Sequence, residues 1–147
     1  MENETRERAS AVIIKDNKIL LMKRVKPNLE YFVFPGGGVE KNESLDDTLK
    51  REVKEELSLD IKKWRLLFNL ENQFKDSYNN MRLGNQKEYY FTIEEFTGTP
   101  ELGGPEKEKM NEQNQYYLEW IDLTKIGKME NLYPKEAVIN LLNSLGQ

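Results

Sequence analysis

The sequence predicts an α/β protein, a mixed sheet with a helix on each side in an α/β/α sandwich, and three observations predict it. Short apolar runs of strand length recur along the chain between turn residues. Two other stretches, opening after Asn42 and at Pro134, instead carry apolar residues at helical spacing. The length of 147 residues suits a single domain, 1–147, with room for a proper core.

Taken in order, residues 11–14 read as a buried strand ended by a turn at Asp16 and Asn17. Residues 19–25 read as its hairpin partner. Pro27 and Asn28 break that strand, and residues 31–34 resume extended structure before Pro35 and three glycines. Ser44 is the expected N-cap of a helix, with Asp46 and Asp47 in the first turn, where the helix dipole favours negative charge. Leu45, Leu49, Val53 and Leu57 recur every four residues and set its packing stripe, with the end near Leu57. Residues 64–70 and 88–96 read as strands, separated by a polar segment holding Asn79, Asn80 and Gly84. From 97 to 114 runs a connection with two prolines and three glycines, long enough to predict a lid, a binding loop or a disordered excursion. Residues 115–121 return to strand, and Pro134 opens a last helix whose core face is Ala137, Val138, Leu141 and Leu142.

Composition narrows the chemistry. The chain has no cysteine and no histidine, which excludes a Ser-His relay, a thiolate nucleophile and a His/Cys zinc site. Catalysis would have to run on carboxylates, lysine, arginine, tyrosine or metal-bound water. The 22 basic and 26 acidic residues give a formal charge of −4 with both signs spread along the chain, which argues against a dedicated duplex-binding surface and counts against a nucleic-acid partner. The charged first ten residues hold no apolar run, and no stretch is long and apolar enough to span a bilayer. A soluble, cytoplasmic protein with no membrane partner is the expectation, and the missing cysteines agree.

The most informative stretch runs from Gly37 to Leu59. Glu52, Glu55 and Glu56 fall within about one quadrant of a helix directly after the glycine loop. Like charges at that spacing repel by roughly 0.2–0.5 kcal/mol per pair, so either the face is solvated or a cation belongs between them. Clustered carboxylates suit a hard cation, Mg²⁺ or Mn²⁺. The spacing decides between these readings. Gly37, Glu43, Arg51, Glu52, Val53, Glu55, Glu56 and Leu59 fit G-x5-E-x7-R-E-U-x-E-E-x-G-U, where U is apolar; only Ser58, in place of the second glycine, departs. The six fixed matches arise by chance on the order of once in ten million start points. The stretch resembles the Nudix hydrolases, MutT-like enzymes, and the order of elements extends the resemblance over most of the chain.

The resemblance implies a Nudix-type α/β/α sandwich and a metal-dependent hydrolase that cleaves a phosphoanhydride in a nucleoside diphosphate linked to another group. Nucleoside triphosphates, sugar nucleotides, dinucleoside polyphosphates and capped RNA ends all fit that description, with the net negative charge lowering RNA somewhat. It implies Glu52, Glu55, Glu56 and the Gly36 carbonyl as ligands of Mg²⁺, with Mn²⁺ as a substitute, and Glu52 as first candidate for the base. Glu43 and Arg51 are expected to pair and brace the loop against the helix. Lys23 and Arg24 are candidates for the substrate's charge. Related enzymes often add a late-loop acid; of Glu101, Glu106, Glu108 and Glu112, the last is chosen for its nearness to the following strand, where Tyr116, Tyr117 and Trp120 could stack a base or fill the core. No asparagine stands at Pro134-Lys135-Glu136, where the enzymes that clear oxidised guanine nucleotides place one. Family habit makes a homodimer plausible. The rival readings are a Nudix-fold sensor that binds a nucleotide without cleaving it and an interaction protein whose acidic face is merely solvated.

Overall fold

The computed structural model describes residues 4–75 and 81–146. Its elements are β1 (Glu4–Val12), β2 (Ile14–Lys15), β3 (Lys18–Lys26), β4 (Leu29–Val33), β5 (Gly36–Gly38), α1 (Leu45–Leu57), β6 (Asp60–Lys75) and β7 (Arg82–Thr97). There follow α2 (Gly104–Glu108), β8 (Gln115–Asp122), α3 (Leu123–Ile126), β9 (Leu132–Tyr133) and α4 (Lys135–Ser144). The expected Asn79-Asn80 segment lies outside the described residues.

The strands form two sheets instead of the single one expected. In the first the order is β5-β1-β7-β6, with β1 and β7 parallel and the other pairs antiparallel. In the second, β3 pairs antiparallel with β2, β4 and β8, and β4 adds β9 in parallel. The chain crosses between them at Ile13, where β1 gives way to the hairpin.

Strand alternation splits the core across the first sheet. Ala9, Ala11, Ile13, Phe91 and Ile93 pack with Leu49, Val53 and Leu57 of α1. Val12 and Tyr90 face the other way, into a cluster with Leu21, Phe32, Ala137, Val138 and Leu141 that seats α4. Helices thus cover opposite faces, as the sandwich requires. No described helix is long and apolar enough to cross a membrane.

β1, β6 and β7 outrun their expected limits by three residues or more at one end at least. β1 begins at Glu4, within a charged stretch that carries no alternation, because residues 4–12 lie in parallel register on residues 84–92 of β7. β6 and β7 likewise gain pairs at both ends from each other. Long-range pairing overrides local propensity here.

Candidate active site

Ser44 caps α1 as its residue type demands, its hydroxyl accepting from the Asp47 N–H at 3.0 Å. The cap fixes where the helix starts and hence the direction of every carboxylate on it. The glycine loop supplies the opposite wall by pairing β5 with residues 8–10 of β1. Glu52 lies against it so closely that a Cβ on Gly37 would sit 2.2 Å from the Glu52 carboxylate. Glu56 reaches the same loop, its Oε1 accepting from the Gly36 N–H at 2.8 Å.

Arg51 binds these parts together. Its Nε and Nη2 donate to the two Glu43 oxygens at 2.7 and 2.9 Å, its Nη1 to Glu52 Oε1 at 2.8 Å, and its Nη2 to the Gly38 carbonyl at 3.1 Å. A longer contact of 3.4 Å reaches Glu55. Arg51, then Thr48, holds the Glu43 carboxyl down at about 2.

Glu52, Glu55, Glu56 and Gly36 line one cavity of about 410 Å³, together with Glu106 from α2. Burial pushes the Glu56 carboxyl up to about 8, against the Gly36 N–H and helped by Glu52 and Glu106. Burial likewise raises Glu52, with Arg51 opposing. These acids are held in a place that disfavours their charge, which is what a cation would relieve. Among the described residues no group of three or more acids is close enough to hold an ion as they stand. Arg51 holds Glu52 and Glu55, and the Gly36 N–H holds Glu56. The donor set, oxygen only, fits a hard divalent cation.

The connection from 97 to 114 is a docked loop. Three backbone or side-chain bonds tie it to the end of α1: Glu101 N–H to the Leu57 carbonyl at 2.9 Å, Gly103 N–H to the Glu56 carbonyl at 3.1 Å, and Ser58 Oγ to the Glu101 carbonyl at 3.0 Å. The loop therefore satisfies carbonyls that a helix end leaves orphaned. A Cβ on Gly103 would meet the Glu55 carbonyl oxygen at 1.6 Å, so only glycine permits the approach.

That docking selects Glu106 from the late acids. Glu106 is buried at the cavity wall beside Lys109, whose pKa it raises, whereas Glu112 is exposed and lines no part of the cavity. Chain distance to the next strand was the wrong guide. Gly103 before Pro105, an N-terminal helix signal, marks the residues that turn Glu106 inward. Lys23 is also elsewhere. Adjacent strand residues point to opposite faces, and Lys23 pairs with Glu30 at 2.7 Å and Glu119 at 3.5 Å while Arg24 enters the cavity. Arg24 lies over the rings of Tyr116 and Tyr31 at 4.4 and 5.7 Å and donates to Asn114 at 3.1 Å. Tyr116 thus lines the site, Tyr117 is exposed, and Trp120 packs on the α1 core.

Arg8 escaped the sequence reading altogether. It borders the acid cavity and a second one of about 210 Å³ whose walls include Phe34, Tyr90, Tyr133 and Glu88. Its side chain makes no hydrogen bond or ion pair among the described residues. Its guanidinium acts on Glu52 and Glu56 by charge alone, lowering both.

Comparison with known proteins bears on the family and the fold. The family model described as NUDIX domain matches residues 5–140. An 8-oxo-dGTP diphosphatase of Buchnera aphidicola is 29% identical over 136 residues, 91% of this chain and 90% of that protein. An ADP-ribose pyrophosphatase of Methanocaldococcus jannaschii is 49% identical over 49 residues, 33% of this chain and 29% of that protein. Among solved structures, a MutT NUDIX hydrolase from Burkholderia pseudomallei superposes with TM-score 0.64 at 25% identity, over 83% of this chain and 86% of that one. A MutT protein from Methanosarcina mazei shares the fold, with TM-score 0.73 at 19% identity over 99% and 96% of the two chains.

Proposed function

The chain belongs to the NUDIX family, and from that premise we propose that it is a metal-dependent hydrolase cleaving a phosphoanhydride in a nucleoside diphosphate linked to another group. The observation that carries the reading is the single cavity onto which Gly36, Glu52, Glu55, Glu56 and Glu106 open together with Arg24 and Arg8. It brings oxygen ligands for a cation and guanidinium groups for phosphate into one space.

Glu52, Glu55, Glu56 and the Gly36 carbonyl would hold Mg²⁺, with Mn²⁺ as substitute. When bound, the ion offsets the charge of diphosphate oxygens and lowers the pKa of water. The protein's share is positional and protonic. Glu52, raised by burial and fixed by Arg51 at one oxygen, is suited to take a proton at the other. Glu106 replaces Glu112 as the late-loop acid, either a fifth ligand or the base. Arg24, held between two rings and Asn114, presents its charge to phosphate without rotamer freedom to lose.

Nucleoside triphosphates lead the substrate classes, because the likeness to the 8-oxo-dGTP diphosphatase extends over nearly the whole of both chains. The second cavity continues the first past Arg8, Val33 and Phe34, and gives the rest of such a nucleotide a place. A cytoplasmic setting, where these nucleotides are made and used, agrees with a chain free of cysteine.

The test is turnover of nucleoside triphosphates, oxidised and canonical, sugar nucleotides and dinucleoside polyphosphates with Mg²⁺, Mn²⁺ or EDTA, products read by mass spectrometry. Metal-dependent cleavage that Glu55→Gln abolishes is expected. Tight nucleotide binding with no cleavage across the panel overturns the hydrolase and establishes a sensor.

A further inference from the structure

Among the described residues, Glu88 is the one buried acid near the site that the proposed chemistry leaves unused. It is 6% exposed and forms part of the wall of the second cavity. Its Oε1 accepts from the Tyr90 hydroxyl at 2.8 Å; its Oε2 accepts from Asn72 Nδ2 at 2.6 Å and Gln86 Nε2 at 3.3 Å. All three donors are neutral, and no cation pairs with it among the described residues. Arg8 stands directly across the parallel β1–β7 register from Glu88 and makes no ion pair with it.

A buried acid without a cation is costly to retain, and replacing it and its partners by apolar groups would ordinarily be neutral or stabilising. Besides Arg8 and Ser10, the surrounding wall is aromatic and apolar. Phe34 meets Tyr90 edge-on at 5.3 Å, with Tyr133 and Pro134 completing the lining. A carboxylate offers about four acceptor positions, and neutral donors fill three here, so one on Oε1 remains. A flat ring entering between Phe34 and Tyr133 would find that position as its polar contact, at the end of the cavity away from the metal-ligating acids.

We propose that Glu88 determines base specificity in this enzyme, accepting a hydrogen bond from an N–H of the nucleobase and rejecting rings that carry no donor at that position. The inference rests on the nucleotide-hydrolase reading for its substrate class. Tyr90, Asn72 and Gln86 hold the carboxylate in one orientation, so the site needs no rearrangement to receive the base. Loss of a base donor leaves that acceptor buried and unpaired, which is the source of discrimination.

A cycle of protein variant against ligand variant tests this. Wild type, Glu88→Gln and Glu88→Asp are assayed with the three pairs ATP and purine riboside triphosphate, GTP and its N1-methyl analogue, UTP and its N3-methyl analogue. For the base that wild type prefers, removing the donor should lower kcat/KM about tenfold or more. Each Glu88 variant should lose about as much on the parent nucleotide and nothing further on the analogue. Glu88→Asp keeps the charge while drawing it back by one methylene, which guards against a Gln variant that fails to fold. Equal losses on parent and analogue would overturn the proposal and leave Glu88 as a tie between Tyr90 and Asn72. The same cycle is run on binding of the corresponding nucleoside monophosphates in EDTA. Coupling there without turnover would sink the hydrolase reading and keep Glu88; turnover without coupling would do the reverse.

Discussion

Two arginines flank the acid cluster, and the protein treats them in opposite ways. Arg51 is saturated, with bonds to Glu43, Glu52 and the Gly38 carbonyl. Arg8 borders three cavities, and its side chain is tied to nothing among the described residues. A guanidinium whose donors are all spent can brace but cannot receive a ligand; one whose donors are idle adds little to the fold and is available to phosphate. The same contrast separates the acids. Glu43 is held low by a neighbouring cation, whereas Glu56 is held high by burial. One end of the cleft is built for stability and the other for binding.

Exchanging each arginine for alanine should give the largest effects and opposite signatures. Arg51→Ala leaves Glu43 and Glu52 without their cation and is expected to lower Tm by about 5–10 °C. Arg8→Ala should shift Tm by no more than about 2 °C, yet raise KM for nucleotide about tenfold. Thermal melts beside steady-state kinetics read both. Similar losses of stability in the two variants would erase the distinction.

The glycine loop sharpens it within two adjacent residues. Alanine at Gly37 would put its Cβ 2.2 Å from the Glu52 carboxylate, the far end of a flexible side chain that can swing away. The expectation is a near-normal melt with turnover reduced about a hundredfold, since a displaced carboxylate loses its catalytic geometry. At Gly38 the nearest atom to a Cβ is 4.0 Å away, so Gly38→Ala should leave both readouts within error. Equal activity in the two variants would show that the contact between Gly37 and Glu52 is unimportant.

pH separates the two acids with opposite signs. The folded Glu56 carboxyl, at about 8, binds its proton more tightly than the unfolded chain does. Its contribution is therefore full below about pH 4.5 and is lost as pH rises through 8. Glu43, at about 2 when folded, contributes above the unfolded value and loses that contribution as pH falls through 2. Chemical denaturation in EDTA should show the alkaline decline flattened by Glu56→Gln and the acid decline flattened by Glu43→Gln. If either substitution moved the other limb instead, the two environments would have been misassigned.

What was legible in the sequence follows the range of the interactions. The cap at Ser44, the α1 stripe and the grouping of Glu52, Glu55 and Glu56 are set within a few turns of one helix, and spacing alone reveals them. Arg8 and Glu88 face one another only because β1 and β7 pair in parallel across eighty positions, beginning in a charged stretch without strand periodicity. Lys23 and Arg24 illustrate a halfway case. Alternation says that just one of two neighbours faces the cleft, but which one depends on a partner strand that the local residues do not name. Glu106 was obscured for a similar reason, since only the contact of Gly103 with the end of α1 decides which late acid turns inward.

The smallest expected effect concerns Ser58, the one departure from the motif, and it bears on how the binding end is held. Ser58 adopts φ 61° at the end of α1, a conformation that glycine takes more cheaply by about 1 kcal/mol. Its hydroxyl, however, donates to the Glu101 carbonyl at 3.0 Å, and a glycine could not. A hydrogen bond of that kind contributes roughly 0.5–1.5 kcal/mol, so strain and bond nearly cancel. Ser58→Gly should therefore change stability by less than about 0.5 kcal/mol, whereas Ser58→Ala, which keeps the strain and loses the bond, should cost about 1 kcal/mol. Both variants should loosen the loop that carries Glu106, visible as faster amide exchange at Glu101 and Gly103. Alanine melting with wild type, and glycine above both, would show that the hydroxyl does nothing for the loop, and that the docking rests on the backbone bonds to Glu56 and Leu57 alone.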